Sequence, residues 1–177
     1  MKLRKIIILV LSLWSELAVA QWGVAYGTGS YMGDRHFGVA YTSESGNHNT
    51  VFTYGTTPGI LGSDVQQLNL KYVYSPFHSS YQEIKTNWLG MGFLVSRCLC
   101  DEMFIKNSGV YPEDNYYDET AYRLGLVFAT TVQWKNWEAY WDWTLLDQIA
   151  IAVYNNDRFA NKARSYWAGG FGVRYYF

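Results

Sequence analysis

From Gln21 onward, apolar and polar side chains alternate with a period of two, and nothing else in the sequence limits the fold as strongly. Residues 167–177 show it best. Trp167, Gly169, Phe171, Val173, Tyr175 and Phe177 share one parity; Ala168, Gly170, Gly172, Arg174 and Tyr176 share the other. Successive side chains of a strand point to opposite faces, so this segment has one apolar, aromatic face and one small face that carries a cation. In a soluble sandwich the apolar face would turn inward. In a barrel surrounded by lipid it turns outward, and the small and polar face lines the lumen.

Seven earlier segments repeat the pattern. Trp22, Val24 and Tyr26 form the apolar set of the first, and Phe37, Val39 and Tyr41 that of the second. A weaker strand spans 50–56. Around 65–75, Leu68, Leu70, Tyr72 and Tyr74 oppose Gln67, Asn69, Lys71 and Ser75. Around 87–96, Leu89, Met91, Phe93 and Val95 oppose Gly90, Gly92 and Ser96. Around 119–133, Tyr122, Leu124, Leu126 and Phe128 oppose Ala121, Arg123, Gly125 and Gln133. Around 138–153, Trp141, Trp143, Leu145, Ile149, Ile151 and Val153 oppose Glu138, Tyr140, Asp142, Thr144 and Gln148. The expected fold is all-β, an antiparallel transmembrane β-barrel of eight strands over residues 21–177, an even number as such barrels require. The stretch 137–154 is long and Asp147 breaks its apolar face, so ten strands is the alternative.

Composition favours lipid over water as the surroundings. Aromatic residues make up 19% of the chain, with 16 Tyr and 8 Trp. A membrane barrel places such rings at its two interfaces, where an apolar body and a polar tip are both accommodated. After Gln21 no apolar run approaches the roughly 20 residues a transmembrane helix needs. A formal net charge of −1 points away from nucleic acid as a partner. Residues 1–20 read as a secretory signal peptide: Lys2, Arg4 and Lys5 come first, then an apolar run from Ile6 to Trp14, then Ala18-Val19-Ala20 with small residues at the cleavage positions. Localisation in a bacterial outer membrane is the expectation. With the first strand entered from the periplasm, segments 32–35, 57–63, 98–118 and 155–163 face outward from the cell. The shorter connections 45–49, 78–85 and 135–137 face the periplasm.

The segment Phe171-Gly172-Val173-Arg174-Tyr175-Tyr176-Phe177 resembles the closing strand of small outer-membrane barrels. The resemblance implies that Phe171, Val173, Tyr175 and Phe177 form the signal read by the barrel-assembly machinery, with periplasmic chaperones as transit partners. In size and strand layout the chain is also similar to the lipid A deacylase barrels. Those carry a catalytic His-x-Ser before the last hairpin. The corresponding stretch here, Ala152-Val153-Tyr154-Asn155-Asn156-Asp157, holds Val153 and Asn155 where the base and the nucleophile would stand. Acyl hydrolysis needs both.

The one His-x-Ser in the chain is His78-Ser79-Ser80, with Glu83 nearby. Base, hydroxyl and carboxylate make His78, Ser80 and Glu83 the catalytic candidates, although the expected placement is a periplasmic turn. His36 and His48 stand at strand ends without an evident hydroxyl partner. Lys71, Arg123, Glu138, Asp142 and Arg174 face the lumen on this register. Isolated charges in a narrow interior are costly, so they are expected to pair, with Arg123, Glu138 and Asp142 on adjacent strands as the centre of the network. Cys98 and Cys100 read as a loop pair, bridged or reduced, and not as a metal site. The carboxylates and tyrosines of 98–118 form an acidic outer loop. No cofactor or metal is expected. The expected role is an outer-membrane barrel with a filled lumen and a structural or surface-interaction function, in contact with membrane lipid and lipopolysaccharide. A hydrolase acting on lipid A or phospholipid is the first rival, and a narrow channel for small solutes the second.

Overall fold

The computed structural model describes residues 20–60, 63–99, 122–147 and 167–177. They form a closed antiparallel barrel of eight strands in sequence order: β1 (Gln21–Gly29), β2 (Arg35–Thr42), β3 (His48–Ile60), β4 (Ser63–Tyr81), β5 (Ile84–Cys98), β6 (Tyr122–Trp134), β7 (Trp137–Leu146) and β8 (Trp167–Tyr176). β8 returns to β1, with Val24 opposite Tyr175 and Tyr26 opposite Val173, so the sheet has no free edge. β7 pairs directly with β8, and no further hairpin enters the sheet among the described residues, which rules out the ten-strand alternative. Ile149, Ile151 and Val153 lie outside the described residues, as do Gln148, the acidic loop and the 152–157 stretch.

The two faces have the polarity that the alternation predicts. Phe171 is 67% exposed on the outside, Phe37 61% and Trp141 59%, while Lys71 and Asp142 inside are 1% and 0% exposed. Aromatic pairs run along the outside, such as Trp22 edge-on to Tyr41 and Trp137 against Tyr175. Small apolar clusters sit inside between the polar groups: Val73, Leu94, Val127 and Ala129 in one, Ala25, Ala40, Val51 and Tyr176 in the other.

Two places depart from simple alternation. β4 continues to Tyr81, so His78, Ser79 and Ser80 are strand residues paired with Asn87, Thr86 and Lys85, not members of a turn. The turn itself is Gln82-Glu83, with the positive φ of 54° at Gln82 that a two-residue hairpin uses. The register shifts on either side of Phe77, beside Pro76. Proline cannot donate to the ladder and is tolerated at a bulge. The bulge resets the outward parity from Tyr74 to Phe77, and this hides the strand's continuation in the sequence.

The other departure is the connection between β1 and β2. It folds into the barrel mouth. Ser30 and Met32 are fully buried, and Met32 packs on Val73, Leu94, Val127 and Ala129. Asn69 Nδ2 donates to the Met32 carbonyl at 3.0 Å, and Ser30 shares a 2.7 Å hydrogen bond with Thr144. Ser30 and Tyr31 hold φ near 58° and 59°, and Gly33 holds 107°. A Cβ at Gly33 would lie 2.8 Å from the Thr56 amide nitrogen. Gly33→Ala is therefore expected to destabilise the barrel by about 1–3 kcal/mol, the range for forcing a side chain into such a conformation. A urea titration in detergent, followed by tryptophan fluorescence, measures it.

Candidate functional site

The side chains that converge do so in the lumen. Along β7 the inward parity places Glu138, Tyr140, Asp142 and Thr144 on one line, all buried. Arg174 of β8 donates from Nη1 to Glu138 Oε1, and Lys71 of β4 donates from Nζ to Asp142 Oδ2. Both side chains of each ion pair are almost fully removed from solvent. Tyr140 separates the pairs. The Lys71 ammonium lies 4.3 Å and the Arg174 guanidinium 4.5 Å from the centre of its ring, inside cation–π range. Gly27 and Gly172 leave the space for the Tyr140 hydroxyl, since a Cβ at either would overlap it.

Polar groups at both ends complete the packing. Asn49 Oδ1 accepts from Arg174 Nη1 at 2.9 Å and from the Tyr176 hydroxyl at 3.3 Å. Towards the β1–β2 connection, Asn69 accepts from Ser96 Oγ at 2.6 Å and donates to Thr53 Oγ1 at 3.2 Å. Two cations face two carboxylates, so this inner network is balanced in charge. Its physical effect is to fill the lumen with paired groups at a site where an unpaired charge would be costly.

The structure brings Lys71, Glu138, Asp142 and Arg174 together. Arg123 is not joined to Glu138 or Asp142, although the adjacency of their strands predicts that network. Their partners are Arg174 and Lys71. Arg123 stands opposite Ser96 near the other end of β6, where its charge acts on Tyr31. His78, Ser80 and Glu83 are not hydrogen-bonded to one another. Glu83 is held by Lys135 at 3.5 Å and by the Trp134 indole at 3.3 Å, and Ser79 accepts from Trp88. Two histidines do have hydroxyl partners, contrary to the expectation that they have none. His36 is buried, with Nε2 2.8 Å from the Tyr140 hydroxyl, and His48 Nδ1 is 2.8 Å from the Tyr72 hydroxyl. Tyr140 belongs to the polar parity set and was visible there. Asn49 and His36 were not, because they lie at strand ends where the alternation is short. Phe171, Val173 and Phe177 point outward. Cys98, at the end of β5, is disulfide-bonded.

Between the short turns the barrel opens into a vestibule of about 290 Å³. Ser43–Gly46 of the β2–β3 turn, His78–Ser80 of β4, Lys85 and Asn87 of β5 and Gln133 of β6 form its wall, and Glu138 is its floor. Two of the catalytic candidates thus lie on the rim of a polar recess, without the contacts of a triad. No family model, curated protein or solved structure matches the chain.

Proposed function

We propose that this chain is an integral outer-membrane barrel whose lumen is closed by its own side chains and whose role is structural or surface-interacting. One observation carries the reading: a complete ring of exposed aromatic and aliphatic side chains encircles a charged, paired interior. Water does not favour so large a continuous apolar surface on a monomer, whereas hydrocarbon does. Membrane lipid and lipopolysaccharide are the partners this outer surface suits. Phe171, Val173 and Tyr175 of β8, with Phe177 just beyond its end, are the residues we assign to recognition by the assembly machinery. The test is extraction. The protein should stay with the membrane fraction through alkaline carbonate and leave it only with detergent. Recovery as a soluble species in carbonate would overturn the reading.

A filled lumen makes a second expectation. Tyr140 with its two cations, then Met32 with Asn69, block the path along the axis. In planar bilayers the protein should therefore show no stable, discrete channel openings at moderate voltage. Regular openings would favour the channel reading instead.

A further inference from the structure

A shallow groove of about 410 Å³ lies on the outer wall of β5, β6 and β7, at the end of the barrel away from the short turns. Phe93, Leu124, Leu126 and Leu145 line it, and Asp147 supplies its one charged side chain. Asp147 is the residue that interrupts the apolar run of 137–154. It continues the outward parity of Trp141, Trp143 and Leu145 beyond the end of β7, and its amide still donates to the Leu124 carbonyl at 2.8 Å. Its carboxylate has little company. Oδ2 accepts from the Leu124 amide at 3.4 Å, and Oδ1 is buried without a hydrogen-bond partner. A carboxylate beside hydrocarbon is costly until it meets a donor or a cation. One cation stands on the same wall, not joined to it. Arg97 of β5 is exposed and lies opposite Tyr122, one outward step beyond the pair Val95–Leu124. Its guanidinium is 5.5 Å from the centre of the Tyr122 ring and forms no ion pair with a described residue. Two strand spacings, about 10 Å, separate β5 from β7.

We propose that this groove seats one phosphatidylethanolamine molecule, with an acyl chain along Phe93, Leu124, Leu126 and Leu145, the ammonium on the Asp147 carboxylate and the phosphate towards Arg97. The inference rests on the membrane reading above. A primary ammonium brings three donors to a group that only accepts, and the bond is the strong, charge-assisted kind. The carboxyl torsion of an aspartate is broad, so a small rotation turns either oxygen to the groove. Arginine's planar fork suits a phosphate. An unpaired acid and an unpaired base on one face, beside an apolar groove, complement a zwitterion with a chain. Phosphatidylglycerol and lipid A bring phosphate without ammonium and set a negative charge against Asp147. Phosphatidylcholine has a quaternary nitrogen with no N–H to donate.

The test is native mass spectrometry of the detergent-purified barrel after incubation with phosphatidylethanolamine, phosphatidylcholine and phosphatidylglycerol of identical chains, and with lipid A. One retained phosphatidylethanolamine is expected, roughly tenfold above each of the others. Asp147→Asn should lower its retention about tenfold, the effect of losing a charged hydrogen bond, and leave phosphatidylcholine unchanged. Arg97→Gln should lower phosphatidylethanolamine and phosphatidylglycerol alike. Leu126→Trp, which fills the groove, should lower every lipid, whereas Val39→Trp on the exposed surface of β2 should lower none. All four positions lie on the outer wall, where substitution leaves the lumen packing intact. Equal retention of the headgroups, a preference for phosphatidylglycerol or lipid A, or an Asp147→Asn barrel that retains as much phosphatidylethanolamine as the parent would each overturn the proposal. A barrel that resists carbonate extraction and gives any of these results loses this site alone. One that carbonate releases loses the membrane reading with it.

Discussion

Asp142→Ala is expected to destabilise the barrel by about 3–5 kcal/mol, the cost of leaving a buried ion without its partner. The carboxylate is fully buried and accepts from the Lys71 ammonium, itself 1% exposed. Removing it leaves a cation inside the lumen with the face of Tyr140 and no carboxylate at that level of the barrel. The attraction of a ring for a cation, about 2 kcal/mol when desolvated, does not replace an ion pair. Lys71→Met alone should cost a similar amount, because Asp142 is then the orphan. The double variant Lys71→Met with Asp142→Leu should differ. Nothing charged is left unpaired, and exchanges of this kind are often neutral or stabilising by about 1–4 kcal/mol. Urea titrations of the three variants in lipid vesicles give the comparison. Additive losses, with the double variant the least stable, would mean that the two side chains do not act as a desolvated pair.

The same region shows what the sequence made legible and what it hid. Parity alone puts Lys71, Glu138, Asp142 and Arg174 inside, and the structure agrees: all four are buried in the lumen, while the opposite parity carries the exposed apolar side chains. Which charges meet is a different question. Lys71 and Asp142 lie on β4 and β7, which are not neighbours in the sheet, and they touch across the lumen. That contact depends on the level of each residue along the barrel axis, which parity does not encode. The adjacency of β6 and β7 groups Arg123 with Glu138. In the register, Glu138 stands opposite Gln133, ten residues further along β6 and at the other end of the strand. Local chemistry hid two more features. Pro76 and the bulge beside it switch the outward parity of β4, so a strand reads as a turn. The inward fold of the β1–β2 connection rests on positive φ at Ser30 and Tyr31, two residues with no special preference for it. Met32 reads as a loop residue, and only the tertiary contact with Val73, Leu94, Val127 and Ala129 makes it part of the interior.

Val173→Arg should cost about 2–4 kcal/mol if the outer face meets the middle of a bilayer, as proposed. Val173 is 43% exposed on the outside of β8, opposite Tyr26 of β1 and Ala139 of β7. It lies between Trp167 at one end of the strand and Tyr175 near the other, so it belongs to the middle of the apolar band and not to an interfacial ring. A guanidinium there is too far from water to stay fully hydrated and must reach for the interface. The comparison is Ala168→Ser on the same strand. Ala168 has the opposite parity and stands beside Thr144, where a hydroxyl finds polar company, so its cost should stay within about 0.5 kcal/mol. Run in lipid vesicles and again in a detergent micelle, the pair also reports on the surroundings. The arginine penalty should be largest in the vesicle and shrink in the micelle, where headgroups reach the site more easily, while the serine variant should not respond to the change. A penalty at Val173 no larger than that at Ala168 would show that the aromatic face of β8 does not look at hydrocarbon, and the proposed membrane location of the barrel would fall.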